Sequence, residues 1–228
     1  MPMESLFKKI RVDVNKNIYL KDPFSSDLGK VIVAKGIEMI SELGLEQFTF
    51  KKLAGKVDCT ESAIYRYFEN KHKLLLFLMV WYWGYLEHNL IISTANLPDP
   101  KKRLKIAIEI LVNGPIYKVN DYIDPVSLKH LLTNEATKAF MTKEIDQEYQ
   151  NGFFHYYHKI GNRIASFITE INPDYEFPKA LVSTVMGSGL MQSYYSEHLP
   201  GLTEIKNGDE KRMEFFQNMV FKTIENEY

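Results

Sequence analysis

The feature that most constrains this chain is where its helix breakers stand. Pro98 and Pro100, Gly114 with Pro115, Pro125, Asn172 with Pro173, Pro178, and Pro200 with Gly201 divide the last two thirds into segments of helical length. A proline inside a helix removes a hydrogen bond and clashes with the preceding turn, so each one marks an element boundary. The spacing predicts helices over 71–95, 100–113, 125–134, 137–171, 178–198 and 208–226. Upstream, Ser25 and Ser26 are good N-caps for a helix from Asp27 to Leu43, with apolar groups at Leu28, Ile32, Val33, Ile37, Met39, Ile40 and Leu43, and Gly44-Leu45 reads as its stop. Val12, Val14, Ile18 and Leu20 alternate as a strand would, Leu6, Phe7 and Ile10 suggest a helical turn, and Pro23 closes this arm. After residue 25 there is no strand alternation with hairpin dipeptides, so the expected fold class is all-α.

Length and charge bound the function. With 228 residues the chain has room for one large domain or for a small domain joined to a larger one. A formal net charge of −1 excludes wholesale coating of nucleic acid, which needs a large basic excess, so any such contact must be local. Residues 1–75 carry 13 Lys/Arg against 10 Asp/Glu, and the remainder 15 against 19. The single cysteine, Cys59, excludes an internal disulfide framework and fits a reducing compartment, which makes the cytoplasm the expected location. The first twenty residues interleave Lys8, Lys9, Arg11, Asp13 and Lys16 with apolar groups and form no secretory apolar core. The apolar run Leu74 to Leu86 falls short of the roughly 20 residues a bilayer requires, with Glu87, His88 and Asn89 ending it, so no membrane partner is expected.

The segment 49–75 carries the sharpest signal. Behind Thr49, an N-cap residue type, Phe50, Leu53, Ala54 and Val57 sit at i, i+3, i+4 and i+7 on a short helix flanked by Lys51, Lys52 and Lys56. Asp58 is a residue type that tolerates a left-handed turn, Cys59 is a small apolar group for a helix crossing, and Thr60 caps the next helix. In that helix Ile64 and Phe68 face inward, while Glu61, Ser62, Ala63, Tyr65, Arg66 and Tyr67 are expected around the outside. Two short helices joined by a tight turn are the geometry with which a second helix enters the major groove of duplex DNA. The following helix opens with Lys71, His72 and Lys73, three basic side chains at the positive end of its dipole. That misfit is read as a docking place for a DNA phosphate.

Thr49-Phe50-Lys51-Lys52-Leu53-Ala54 followed by Thr60-Glu61-Ser62-Ala63-Ile64-Tyr65-Arg66-Tyr67-Phe68-Glu69-Asn70-Lys71-His72-Lys73-Leu74-Leu75 resembles the N-terminal signature of the tetracycline-repressor (TetR) family, over about residues 28–80. Asp58 stands where the family pattern usually has Gly, and Tyr67 where it usually has His. The resemblance implies a homodimer on a palindromic DNA operator, with a C-terminal domain that holds the dimer interface and a small-molecule effector pocket. It places Thr49, Tyr65, Tyr67 and Lys71 on phosphates, and Thr60, Glu61, Ser62 and Ala63 nearest the bases. Hydroxyl and ammonium groups suit phosphate oxygens, and a small Ala admits close backbone approach or touches a thymine methyl.

The expected organisation is an arm over 1–25, a three-helix DNA-binding domain over 26–74, and a larger helical effector and dimerisation domain over 75–228. Trp81, Tyr82, Trp83 and Tyr85, with Phe153, Phe154, Tyr156 and Tyr157, are either core or the lining of a pocket for an apolar or aromatic effector; Trp81, Tyr82, Tyr85, Phe153 and Tyr157 are the candidates. Val182, Val185, Met186, Gly189 and Leu190, and Phe215, Phe216, Met219 and Val220, form a face that is either core or dimer seam, and Gly187, Ser188 and Gly189 favour the seam. Lys8, Lys9, Arg11 and Lys16 give the arm charges of the kind that enter a minor groove, although an arm packed on its own domain is preferred. His155 and His158 lack the further ligands of a metal site, and Gly187-Ser188-Gly189 lacks the spacing of a nucleophile elbow. No metal, cofactor or catalytic role is therefore expected. The alternatives are an enzyme or plain helical ligand carrier, which the same C-terminal aromatics would permit, and a constitutive DNA-binding protein without an effector.

Overall fold

The computed structural model describes residues 12–114, 122–206 and 210–225; Leu6, Phe7, Ile10, Lys8, Lys9 and Arg11 of the arm lie outside them. Among the described residues every α or β element is helical: α1 Asp27–Gln47, α2 Phe50–Val57, α3 Glu61–Tyr65, α4 Lys71–Thr94, α5 Pro100–Asn113, α6 Pro125–Glu135, α7 Thr137–Phe140, α8 Ile145–Gln150, α9 His155–Ile171, α10 Pro178–His198 and α11 Glu210–Glu225. Short 3-10 turns occupy Pro23–Ser25 and Pro200–Leu202. The alternation at Val12, Val14 and Ile18 belongs to irregular chain whose apolar side chains are buried, not to a strand.

Local chemistry explains the boundaries. Prolines open α5, α6 and α10, and the Asp99 and Asp124 carboxylates cap the first two by accepting the Lys101 amide at 2.9 Å and the Ser127 amide at 2.7 Å. Gly44, at φ 73 and ψ 157, takes a conformation essentially reserved for glycine; it kinks α1 where the sequence predicts the stop, and one more turn follows to Gln47. The expected helix over 137–171 is instead three, α7, α8 and α9. Its two breaks carry no proline, only the irregular backbone at Met141 and the positive φ of Gly152, so the apolar pattern runs through both.

Two compact units divide the chain, Met1–Tyr85 with Tyr117–His155, and Leu86–Ile116 with Tyr156–Tyr228. In the first, α1 packs on α6, on α2 and on the Pro23–Ser25 turn, and α2 packs on α3. A Cβ on Gly29 would lie 2.1 Å from the Pro23 carbonyl oxygen, so only glycine admits that turn. In the second unit, α5 packs on α10 and α11. There Val182, Val185, Met186 and Gly189 of α10 and Phe216 and Val220 of α11 are buried, so most of the stripe favoured as a dimer seam is core of its own unit. Arg212, itself buried, donates to the Gly189 carbonyl.

Helix α4 spans 24 residues and is by length and composition apolar enough to cross a membrane, longer than the run read from the sequence. Its side chains are spent inside the protein instead, with every residue from Leu74 to Glu87 buried. Glu87 does not end the helix. Its Oε1 accepts from Arg163 Nη2 at 2.8 Å and Nε at 3.2 Å, an ion pair that offsets the cost of burying the carboxylate.

Candidate nucleic-acid interface

The α2–turn–α3 segment is built as its residues require. Thr49 Oγ1 caps α2 by accepting the Lys52 amide at 3.2 Å, and Phe50, Leu53 and Ala54 bury its inner stripe. Asp58 takes the left-handed conformation, φ 55 and ψ 53, and the Cys59 amide closes the turn on the Ala54 carbonyl at 3.0 Å. Cys59 is half-buried, and burial together with the neighbouring Asp58 carboxylate pushes its thiol pKa up, away from the reactive thiolate. Thr60 Oγ1 caps α3 by accepting the Ala63 amide at 3.3 Å, and it shares a 3.0 Å hydrogen bond with Ser62 Oγ.

Helix α3 is anchored on one side only. Ile64 is fully buried; Thr60, Ser62, Tyr65 and Arg66 are exposed, and Glu61 and Ala63 are partly so. The Tyr65 ring stands edge-on to Phe50 at 5.0 Å between centroids and is 46% exposed, leaving its hydroxyl end outward. The result is a short helix that offers two hydroxyls, a carboxylate, a methyl, a phenol and a guanidinium on one outer surface. Arg66 was placed on that surface by the sequence pattern without a role; its exposure beside Tyr65 is the signal for one.

Two residues assigned to this surface lie elsewhere. α3 ends at Tyr65, so Tyr67 leaves the helical phase and turns inward, where it is 4% exposed. Its carbonyl accepts the Leu20 amide at 2.8 Å, its hydroxyl shares a 2.8 Å hydrogen bond with Ser26 Oγ, and Lys21 Nζ stands 5.2 Å from its ring centroid. Lys71 Nζ donates to the carbonyls of Leu45 at 2.8 Å, Glu46 at 3.1 Å and Phe48 at 3.3 Å. Those three acceptors match the three donors of an ammonium, and two of them belong to the last turn of α1.

The other basic groups at the start of α4 are likewise engaged. Asn70 Oδ1 caps the helix at the Lys73 amide at 2.9 Å. His72 Nε2 and Lys73 Nζ share Oε1 of the buried Glu148 at 3.0 and 3.4 Å, and Lys73 also stands 4.4 Å over the Phe153 ring. The cationic helix start, expected as a docking place for a phosphate, is compensated from within the protein.

The proposed effector residues are divided. Trp81 packs against Phe24, Phe77 and Tyr85 at centroid distances of 4.8, 6.3 and 5.6 Å, and Tyr82 stands edge-on to Trp83 at 5.3 Å. Trp81, Tyr82, Tyr85 and Phe153 are buried in the first unit; Phe153 lies with Lys73, two turns up the helix from Trp81. Tyr157 belongs to the second unit, where burial pushes its phenol pKa up. The Trp81 indole Nε1 is buried with no hydrogen-bond partner among the described residues.

Comparison with known proteins bears on this geometry. Residues 32–77 match the family model described as bacterial regulatory proteins, tetR family. Among solved structures, AibR in complex with isovaleryl coenzyme A and operator DNA is similar with a TM-score of 0.55 and 13% identity, covering 82% of this chain and 95% of that one. The choline complex of a proposed transcriptional regulator from Saccharomonospora viridis gives a TM-score of 0.60 at 14% identity, covering 86% and 94%. A superantigen, pfit, gives 0.51 at 12% identity, covering 90% of each chain, so likeness at this level describes the fold alone. No curated protein matches the chain.

Proposed function

We propose that the chain, whose residues 32–77 match the family model of bacterial regulatory proteins of the tetR family, is a DNA-binding repressor released from a palindromic operator by a small apolar or aromatic effector. The observation that carries the DNA reading is the one-sided anchoring of α3: Ile64 is its one buried residue, and the others are exposed or partly exposed. In this reading Thr60, Glu61, Ser62 and Ala63 meet base edges, and Thr49, Tyr65 and Arg66 meet phosphates. Tyr67 and Lys71 act behind the surface, holding it in place.

Homodimerisation is part of the proposal, because a single five-residue helix gives limited affinity and a palindrome requires a two-fold partner. The face of α10 left open by its own unit carries Ser183, Thr184 and Gly187, small residues that admit another helix closely, and α11 presents a 44% exposed Phe215. The effector reading rests on the buried indole N–H of Trp81, a donor whose burial without an acceptor costs about 1–3 kcal/mol and which a ligand oxygen would satisfy. The ligands held by the two similar regulators, isovaleryl coenzyme A and choline, support a small-molecule effector as a class. Selection of bound duplexes from a random pool, followed by a screen for compounds that release the selected duplex, tests the whole reading. Inverted-repeat sites and at least one releasing compound are expected; strictly asymmetric sites contradict the dimer, and failure of every compound to change affinity favours a constitutive regulator.

A further inference from the structure

The irregular segment before α1 is tied at both ends to parts of the first unit that the proposed function uses. At its start Val12, 2% exposed, fills a notch over Gly84 of α4: a Cβ on Gly84 would lie 2.4 Å from Val12 Cγ1, and β-branched Val12 has little freedom to yield. Asn15 Nδ2 donates to the Asn151 carbonyl at 2.7 Å, and Ile18 is fully buried. Tyr19 stands edge-on to Phe77 at 6.2 Å, and Phe24 lies on Phe77 and Trp81 at 5.9 and 4.8 Å. Three further residues of the segment converge on one residue just past the recognition helix. The Leu20 amide donates to the Tyr67 carbonyl, Lys21 lies over the Tyr67 ring, and Ser26 Oγ shares a hydrogen bond with the Tyr67 hydroxyl.

We infer that residues 12–26 form a strap that sets the orientation of α3 through Tyr67 and ties it to α4 at Gly84 and Trp81, making Tyr67 a positioning residue for operator binding. The inference rests on the reading of α3 as the DNA-contacting helix. Tyr67 reaches none of the outer surface, so it acts on DNA only through where it places Tyr65 and Arg66. Gly84 lies 13 residues beyond Lys71, roughly 20 Å along the helix, so a change there reaches α3 through the packed unit and not through a DNA contact. The strap links the aromatic midsection of α4 to the recognition helix.

The test uses the full-length protein and a duplex that the wild type selects from a random pool. Tyr67→Phe, Ser26→Ala and Gly84→Ala should each weaken that duplex about fivefold or more, the effect of roughly one hydrogen bond or its equivalent in misplacement. The slope of log affinity against log salt should stay at the wild-type value, because no phosphate contact is removed. Val12→Ala, which thins the wedge instead of obstructing it, serves if Gly84→Ala fails to fold, with the same signature. Unchanged affinity of the folded variants, with only a lower melting temperature, overturns the inference, as does a Tyr67→Phe effect that Gly84→Ala and Val12→Ala both lack. A wild type that selects no duplex at all removes the DNA reading, and the strap's proposed role with it.

Discussion

Helices α3 and α4 adjoin in sequence and are opposites in construction. α3 has five residues, one of them deeply buried, and its polar groups face outward. α4 has 24, is buried from Leu74 to Glu87, and its opening cations are all engaged with protein acceptors. The contrast teaches that the face proposed to meet DNA is not where stability resides. A helix as short as α3 has almost no intrinsic stability and is held by tertiary packing, here from Ile64, the α2 stripe and Tyr67. The charge near it that most resembles a DNA contact, Lys71, is a strut between α4 and the end of α1.

Breaking the anchor should have the largest effect. Ile64→Ala removes the one fully buried side chain of α3 and should cost about 2–5 kcal/mol, abolishing duplex binding before the rest of the protein melts. Thermal unfolding followed alongside binding checks this; retained binding would mean that α3 is held by other contacts. Lys71→Met keeps the aliphatic stem and removes the ammonium, leaving three carbonyls to share water. It should lower stability by about 1–3 kcal/mol, toward the lower end because Lys71 is only half-buried, and denaturant unfolding measures it.

Substitutions on the outer face of α3 should leave stability alone. Ala63→Gln or Ser62→Arg should redirect which duplexes are selected, by about 1–3 kcal/mol between favoured and disfavoured bases, with a melting temperature close to wild type. Variants that select the wild-type sequences would exclude these positions from base contact. The smallest effect is expected at Glu46, an exposed carboxylate whose hydrogen bond from Lys138 holds its pKa below the ordinary glutamate value of 4.5. Its contribution is present above that value and lost as the pH falls through the lowered one. Glu46→Gln should therefore slightly lower the melting temperature at neutral pH and match the wild type at the acid end, flattening the acid limb, as a pH series of melting curves would reveal.

Local chemistry was the legible part of this chain. Pro100, Pro125 and Pro178 opened their helices where expected, Asp58 took the left-handed turn, and Thr49 and Thr60 capped α2 and α3, because each depends on neighbours within a few residues. The interior break near Gly152 was not legible, since a lone glycine within a continuing apolar pattern does not by itself end a helix. Nor were the roles of Tyr67, Lys71 and Glu87. Their partners lie 41, 26 and 76 residues away, at Ser26, Leu45 and Arg163, and no periodicity carries that distance. The basic start of α4 breaks a local rule that the sequence shows, and its compensation comes from the end of α1 and from Glu148.

The most direct test of the central claim, that α3 contacts the operator while the groups behind it hold it in place, is the salt dependence of operator affinity for Lys71→Met against wild type. A strut predicts a less stable protein whose folded form keeps the wild-type slope. A slope reduced by about one unit, with an unchanged melting temperature, would place the Lys71 ammonium on a phosphate and contradict the account.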